Sequence, residues 1–494
     1  MTMQGTLFFL LCFALSAALL LATLGFPGTD DYYHARISGE IITQRRLALD
    51  FVWLPQTILS PDRFVDHHLL YHLFLAPWVA LGGMTGAKVA QALIVAGTFT
   101  AGWALLRDIG TRHAALWAFA LFGLSVPFLH RLLMIRTQGA SLLLLILGLH
   151  VIFRRRYQWL LVIAFAYTWL YDGFILLMAF AALAVLADWV ADRHWDARPV
   201  VYTVAGIGLG LVINPYFPRN IVFIAEHLGA KVAFETGIRV GNEWYPYQTA
   251  TLLENSAGAL LALVLGLLRP SFGGRRDRVE TTLLFVALLA LAMLFRSRRF
   301  IEYYPAFALL FAAASWGRGS VALRDWLPDL TVVLRLAGGI ALAGAALAIS
   351  MTVAAVHRSL EDVRDPATHA GAAAWLAEHS SPGALIFQTD WDDFTHLFYH
   401  NTHNTYLVGL DPTYLERANR QLWDSWVAIT RGQVEQPSTA IHLEFGAAYV
   451  VSDTDHHDFA ARAETDPGLR LVYRDAYSYV WEVLPAGIVG SMQP

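Results

Sequence analysis

The stretch Phe26-Pro27-Gly28-Thr29-Asp30-Asp31-Tyr32-Tyr33-His34-Ala35-Arg36 follows directly on the first long apolar run of the chain, Leu7–Phe26. That run is long enough to cross a membrane. The residues before it carry no positive charge, so we expect a retained helix rather than a cleaved signal peptide. Two adjacent carboxylates beside a low-dielectric membrane are costly to keep charged, so the pKa of one of them rises. A carboxylate with a raised pKa is suited to act as a general base or a metal ligand. Asp30 and Asp31 are therefore the candidate catalytic residues.

The composition agrees with a membrane protein. Of the 494 residues, 56% are hydrophobic and 15% are charged, whereas soluble domains carry about 25% charged residues. The mean hydropathy is +0.47. The net charge of −4 identifies no partner, and we expect membrane lipids but no nucleic acid as partners. The single cysteine, Cys12, lies in the first apolar run, so neither an internal disulfide nor thiol chemistry is expected.

Apolar runs predict a polytopic α-helical membrane protein with about eleven membrane spans. The runs begin near Phe8, Ala87, Ala114, Gly139, Tyr157, Phe174, Val200, Leu252, Thr282, Phe300 and Val332. The stretch 68–81 is His-rich and short, and we expect a helix lying in the outer interface. If the N-terminus lies inside, the simple arginine-rich loops between spans fall on the cytoplasmic side, as the positive-inside rule requires. The odd number of spans then puts the C-terminus outside.

The sequence divides into two predicted domains. Residues 1–356 form the transmembrane domain, with a long first external loop over 27–85. Residues 357–494 form an external α/β domain, because short apolar runs alternate with helical ones. Its helices are predicted near 368–378, 394–399, 414–430 and 458–463, with strands at 384–388, 406–408 and 448–451 and a hairpin through 469–473 and 479–483. No Gly-rich loop follows a strand, so nucleotide binding is not expected.

Arginines on the predicted external side break the usual charge bias. They are Arg36, Arg45, Arg46, Arg131, Arg136, Arg239, Arg296, Arg298 and Arg299. Clustered arginines suit bidentate binding of phosphate. For any single arginine, snorkelling to the membrane surface is the better interpretation. For the group Arg296, Arg298 and Arg299, between two spans, we favour phosphate binding.

These features resemble the GT-C superfamily of membrane glycosyltransferases, which includes oligosaccharyltransferase catalytic subunits, protein O-mannosyltransferases and aminoarabinose lipid A transferases. The segment Asp30–Arg36 looks like the acidic first-loop motif of the oligosaccharyltransferase-like members. The long first loop, the segment Arg136-Thr137-Gln138-Gly139 entering the next span, and the external C-terminal domain are also similar.

The resemblance implies inverting transfer of a sugar from a polyprenyl-phosphate or polyprenyl-pyrophosphate donor to a glycan, lipid or protein acceptor. It implies that Asp30 or Asp31 acts on the acceptor and that the Arg296–Arg299 group holds the donor phosphate. His34, Arg36 and Arg136 become substrate-binding candidates. We expect a multi-pass protein of a bacterial inner membrane with a periplasmic active site.

The sequence also departs from the family pattern. Residues 130–138 contain no carboxylate, although the oligosaccharyltransferase branch has a second acidic motif there, and no Trp-Trp-Asp motif occurs in the C-terminal domain. Metal dependence is therefore open: no residue is assigned as a metal ligand, and a divalent metal is the one cofactor still considered.

Three further residues are substrate-binding candidates with structural alternatives. His68, with His72 on the same helical face, suits zinc or substrate, or is the polar face of an interfacial helix. Asp172 lies at the end of a predicted span, where carboxylates are often functional, or it caps the next helix. Glu243, among aromatics, could meet an acceptor sugar, but a surface-loop glutamate is the simpler interpretation.

Acids and histidines follow successive predicted strands in the C-terminal domain, at 389–394, 400–404 and 409–412. They could bind a cation or a carbohydrate, or they cap helices and form turns.

Two other functions are alternatives to sugar transfer. A transporter or lipid-linked sugar flippase should show charged residues within spans and inverted repeats, and the sequence has no convincing repeat. A non-catalytic protein that binds or assembles envelope polysaccharide would have the same sequence features.

Overall fold

The computed structural model describes residues 2–232, 242–269, 275–318 and 331–484. The chain divides into two compact units. The first unit holds the described residues up to Thr23, from His67 to Val232 and from Asn242 to Val363. The second holds Leu24–Asp66 and the described residues from Arg364 onward. Most of the predicted first loop thus folds with the C-terminal residues. The predicted domains, 1–356 and 357–494, had instead placed this loop with the transmembrane helices.

The first unit is built from helices. They are Met3–Leu21, Leu69–Asp108, Ala114–Phe119, Val126–Leu133, Thr137–Phe153, Gln158–Leu170, Phe174–Asp192, Arg198–Val212, Arg219–Val232, Thr249–Leu268, Arg278–Arg296, Tyr304–Gly317 and Thr331–Glu361. Short 3-10 turns lie at Ala120–Gly123, Asn242–Trp244 and Arg298–Glu302. Small residues let helices approach closely: a Cβ added at Gly206 would lie 2.4 Å from the carbonyl oxygen of Leu161 on the facing helix.

Six helices in the described part of the chain are long and apolar enough to cross a membrane. They are Met3–Leu21, Leu69–Asp108, Phe174–Asp192, Thr249–Leu268, Arg278–Arg296 and Gly338–Glu361. Four shorter apolar helices, of 10–17 residues, accompany them. The chain is therefore an integral membrane protein, as predicted. The total of about eleven spans stays a prediction, since these lengths do not fix the number of crossings.

Two predicted membrane segments are bent. The helix expected over 68–81 begins at Leu69 and continues into the next predicted span, but Gly83, with φ 54° and ψ −130°, breaks it into two helices. Its interfacial position stays a prediction. The apolar run from Ala114 is not one straight span: Ala114–Gly123 and Val126–Leu133 meet at 92°. The cause is local, because the Ser125 hydroxyl accepts from the Phe128 N–H at 3.2 Å and starts a new helix.

The second unit contains the predicted α/β domain. Its strands are β1 (Leu385–Gln388), β2 (Thr405–Tyr406), β3 (Tyr449–Asp453), β4 (Leu469–Arg474) and β5 (Ser478–Val483), in the spatial order β2-β1-β3-β5-β4. Strands β1, β2 and β3 are parallel, while β5 runs antiparallel to β3 and β4. The helices of this unit are Thr29–Gln44, Ala370–His379, Phe394–His400, Thr413–Ala418, Arg420–Thr430, Pro437–Ala440 and His457–Thr465.

The first-loop residues cover the edge of this sheet. The backbone N–H of Tyr406, on edge strand β2, donates to the carbonyl of Trp53 at 2.8 Å. The Trp53 indole N–H donates to the carbonyl of Thr402 at 3.0 Å, and its ring packs 4.8 Å from Phe398. Because an uncovered strand edge invites unwanted pairing, these contacts explain why residues 24–66 belong to the second unit.

Candidate active site

Three arginines from separate parts of the first unit converge on the carboxylate of Glu243. Arg131 Nη2 lies 2.8 Å from Glu243 Oε2, and Arg299 Nη1 lies 3.0 Å from Oε1. Arg136 Nη1 is 3.6 Å from Oε2. We call Arg131, Arg136 and Arg299 the arginine cluster. The turns and helix ends that carry these residues bring together side chains that are far apart in the sequence.

The cluster is largely shielded from solvent. The side chains of Arg131, Arg136 and Arg299 are 16%, 12% and 15% exposed. A second carboxylate, Glu302, is 2% exposed and accepts from Arg131 Nε at 2.5 Å. Three guanidinium groups are thus brought together around these carboxylates. A partly buried site lined by guanidinium groups is chemically suited to a phosphate.

Glu243 is not the solvated loop glutamate that the sequence favoured. Burial by itself would raise the pKa of this carboxyl, but the charges of Arg299, Arg131 and Arg136 outweigh it. The pKa is held well below its usual range, so Glu243 is ionised at neutral pH. Its position makes it the counter-ion of the arginine cluster.

His68 lies beside the same cluster. Arg299 Nη2 donates to the hydroxyl of Tyr171 at 3.3 Å, and the His68 ring stacks on Tyr171 with centroids 5.6 Å apart. The Arg299 guanidinium also lies over the Trp244 ring, 4.7 Å from its centroid. Within the described ranges, His68 and His72 belong to no group of three metal-donor side chains, which gives zinc no support there.

Asp172 follows Tyr171 and is buried. The helix Phe174–Asp192 has Gly173 at its N-cap, with no side-chain hydrogen bond capping it. Asp172 is therefore not itself the N-cap residue of that helix, and its predicted role in substrate binding stays a prediction.

The predicted group Arg296, Arg298 and Arg299 is not one binding cluster. Arg296 is the exposed last residue of the helix Arg278–Arg296. Arg298 donates through Nε to the carbonyl of Tyr245 and through Nη2 to that of Pro246, each at 3.2 Å. Residues in a tight turn point in different directions, so of the three only Arg299 reaches Glu243.

The two candidate catalytic aspartates, in the second unit, have different surroundings. Asp31 is fully buried, and its Oδ2 accepts from the backbone N–H of Gly28 at 2.9 Å, which fastens the start of the helix Thr29–Gln44. Asp30, in the same first turn, is only partly buried. Of the two, Asp30 is the carboxylate more open to another molecule.

His34 and Arg36 are engaged in the packing of the second unit. His34 is buried, and its ring lies 5.5 Å from that of Tyr33. Arg36 Nη2 donates to Thr402 Oγ1 at 2.7 Å and lies 3.2 Å from Glu40 Oε1. These contacts give both residues a structural role, and their substrate roles stay predictions.

The sequence did not single out Arg131 as a member of the cluster, or Glu302 and Tyr171 as residues that contact it. Arg131 stood among the predicted external arginines, but nothing distinguished it from the others. Its contact with Glu302 spans 171 positions, and such a pairing leaves no local signal. The presence of Arg131 and Arg136 in a segment without carboxylates was the one available hint.

The fold is similar to that of solved membrane glycosyltransferases. An oligosaccharyltransferase from Archaeoglobus fulgidus, solved with a tethered acceptor peptide containing the NVT sequon, is 15% identical with a TM-score of 0.61, over 98% of this chain and 75% of that chain. ArnT from Cupriavidus metallidurans, bound to undecaprenyl phosphate, is 18% identical with a TM-score of 0.56, over 97% and 98%. The mycobacterial arabinofuranosyltransferase AftD is 16% identical with a TM-score of 0.56, over 97% and 41%.

The sequence matches no protein-family model and none of the curated proteins. The structural neighbours are GT-C glycosyltransferases. The chain therefore has the GT-C fold with a C-terminal α/β domain, which confirms the fold expected from the resemblance, while the number of spans stays a prediction.

Proposed function

We propose that this protein is a glycosyltransferase that moves a sugar from a polyprenyl-phosphate- or polyprenyl-pyrophosphate-linked donor to an acceptor, with inversion, on the external face of the membrane. The observation that carries the proposal is the convergence of Arg131, Arg136 and Arg299 at one partly buried place in the first unit. The GT-C fold supports the reaction class. The neighbour solved with undecaprenyl phosphate supports a lipid phosphate as ligand.

In this proposal the arginine cluster binds the donor phosphate. Negative charge develops on the phosphate oxygens as the bond to the anomeric carbon breaks. Guanidinium groups that Glu243 and Glu302 keep close together would stabilise that charge. Arg299, which Tyr171 and Trp244 also hold, is the residue best positioned for this role.

Asp30 is proposed to act on the acceptor. A carboxylate can accept a proton from the acceptor hydroxyl or amide, or orient it for attack, and such general-base assistance contributes about 10²- to 10⁴-fold. Asp31 would position Asp30 by fixing the first turn of the helix Thr29–Gln44. The acceptor would then attack the anomeric carbon from the face opposite the leaving phosphate, which inverts its configuration.

The segment 130–138 supports neutralisation of the donor by arginine. Where the oligosaccharyltransferase branch resembled by the sequence has a carboxylate, this chain has Arg131 and Arg136, and both reach Glu243. A guanidinium-lined site repels cations, so we propose that arginines, rather than a metal ion at this segment, balance the charge of the donor phosphate.

The proposal is tested by the composition of the envelope glycans. Cells carrying the wild type, the Asp30→Asn variant or an Asp62→Asn control would be compared with cells lacking the gene, at equal protein level in the membrane. Asp62 is an exposed loop residue of the same unit. We expect the deletion and Asp30→Asn to lose the same sugar from one glycan and Asp62→Asn to retain it. Unchanged glycans in the deletion strain would contradict the proposal.

A further inference from the structure

A second group of polar side chains lies at the ends of two neighbouring parallel strands of the second unit. Asp390 follows β1, Asp453 is the last residue of β3, and His456 lies in the turn after β3. One ligand atom from each of these three side chains lies within 4.8 Å of the other two. We call these three residues the strand-end cluster.

The position of this cluster in the sheet favours ligand binding. Strands β1 and β3 are directly paired, with Gln388 opposite Val451. The carboxyl ends of adjacent parallel strands are where open α/β sheets form ligand-binding crevices. Turn formation explains part of the role of Asp453, because its Oδ1 accepts hydrogen bonds from the backbone N–H groups of Asp455 and His456. It does not explain why Asp390 converges there from another strand.

The cluster lacks a basic partner for its carboxylates. Within the described part of the chain, neither Asp390 nor Asp453 forms an ion pair with an arginine or lysine. The partner of Asp453 is His456, whose Nδ1 lies 2.6 Å from Asp453 Oδ1. The imidazole and the carboxylate are close enough for a hydrogen bond. Both are groups that bind divalent metals in their deprotonated forms.

A further carboxylate adds to the negative charge. Asp393 has a side chain that is 1% exposed, and its Oδ1 lies 2.9 Å from His369 Nε2 and 3.6 Å from Arg364 Nη1. Its Oδ2 has no hydrogen-bond partner among the residues that the structure describes. The charge of Asp393 acts on both Asp390 and His456. A buried carboxylate oxygen without a donor, electrostatically coupled to the cluster, is what a nearby cation would compensate.

We propose that Asp390, Asp453 and His456 bind one divalent cation. The donor set contains two carboxylates and one imidazole. Carboxylates suit Mg²⁺, Ca²⁺ and Mn²⁺, whereas imidazole suits zinc and other transition metals. Mn²⁺ accepts both donor types, and we use it as the probe. A bound cation would join the loops after β1 and β3 and stabilise this end of the sheet.

The test is a Mn²⁺ titration of the purified full-length protein, followed by the loss of the electron paramagnetic resonance signal of free Mn²⁺. We expect one saturable site in the wild type. Asp390→Asn and His456→Gln should each weaken it by about tenfold or more. The Asp390→Asn variant keeps an oxygen that can accept from the Asp392 N–H, so it should fold. The matched control Asp455→Asn alters an exposed acid in the same turn and should bind like the wild type.

Thermal unfolding supplies a second measurement. A ligand that binds the folded state stabilises the protein. Mn²⁺ should therefore raise the unfolding midpoint of the wild type and of Asp455→Asn, but not that of Asp390→Asn, which has lost the site. Equal Mn²⁺ affinity in the wild type and Asp390→Asn would overturn the proposal, as would the absence of saturable binding. Loss of the site on Asp30→Asn with Asp390→Asn unaffected would place the cation at the first-loop acids and would also overturn it.

Discussion

Glu243 Oε1 and Arg299 Nη1 lie 3.0 Å apart, although 56 positions separate the two residues in the sequence. The other oxygen of the same carboxylate faces Arg131 and Arg136. One internal anion thus holds three guanidinium groups in fixed positions. In the proposed reaction a donor phosphate must enter this cluster, and it would compete with Glu243 for the same donors.

Neutralising Glu243 should strengthen binding of a lipid phosphate. In Glu243→Gln the side chain keeps its shape but no longer occupies the arginines as an anion. We expect undecaprenyl phosphate to bind about tenfold tighter, equivalent to about 1.4 kcal/mol. Binding would be measured with the purified protein in nanodiscs at constant ionic strength. Glu254→Gln changes an exposed glutamate of the same unit and is the matched control. Equal affinity in Glu243→Gln and the wild type would exclude competition.

Removing Arg299 should weaken the same binding. Hydrogen bonds to charged groups contribute about 1.5–3 kcal/mol, so Arg299→Met should lower the affinity for undecaprenyl phosphate by about 10- to 100-fold. Arg299→Lys keeps the charge but loses the planar fork, and an intermediate affinity is expected. Arg112→Met alters an exposed arginine of the first unit and should have no effect. If both Arg299 variants bind like the wild type, the arginine cluster is not the phosphate site.

The two adjacent aspartates should separate into a stabilising and a reactive residue. Asp31→Ala removes the acceptor of the Gly28 N–H and should cost about 1 kcal/mol of stability, as the loss of a helix cap does. Asp31→Asn keeps an oxygen acceptor and should retain part of the stability that Asp31→Ala loses. Asp30→Asn should leave the thermal unfolding midpoint unchanged while abolishing transfer. A lower midpoint in Asp30→Asn than in Asp31→Ala would reverse these assignments.

His396 should make the stability of the protein depend on pH. Burial first, and then the charges of His369, Arg364 and His400, lower the pKa of this ring from 6.5 to about 3. The unfolded chain therefore takes up the proton first as the pH falls. The stability associated with neutral His396 is present above pH 6.5 and is lost progressively as the pH falls from 6.5 toward 3, by up to about 1.4 kcal/mol per pH unit.

Thermal unfolding between pH 7.5 and pH 4.5 checks this slope. His396→Gln should flatten the decline in the unfolding midpoint, because Gln does not titrate. His442→Gln alters an exposed histidine of the same unit and should keep the slope of the wild type. Parallel pH profiles for the wild type and His396→Gln would show that other groups determine the acid sensitivity.

Local patterns were sufficient to predict most of the second unit. The predicted strands at 384–388 and 448–451 and the closing hairpin correspond to β1, β3, β4 and β5, because short apolar runs bounded by turn residues carry the signal. The helix predicted over 414–430 is instead two helices. Asn419 interrupts it, since its side chain accepts from the N–H groups of Gln421 and Leu422 and starts the second helix.

The arginine cluster could not be predicted in the same way. Its contacts join Arg131 to Glu243 across 112 positions and to Glu302 across 171. No periodicity or spacing encodes such contacts. The residue types were informative, because external arginines suggested phosphate binding. The sequence could not show which of these arginines form the cluster, because Arg298 binds backbone carbonyls while its neighbour Arg299 contacts Glu243.

The most direct test of sugar transfer uses the donor that accumulates when the protein is absent. Lipid extract from the deletion strain, reconstituted with membrane fractions that contain the acceptor, would be supplied with purified wild type or Asp30→Asn. Mass spectrometry would follow the polyprenyl-linked sugar. We expect the wild type to consume the lipid-linked sugar and modify the acceptor, and Asp30→Asn to leave the lipid-linked sugar unchanged. Consumption at equal rates by both proteins, or by neither, would contradict this expectation.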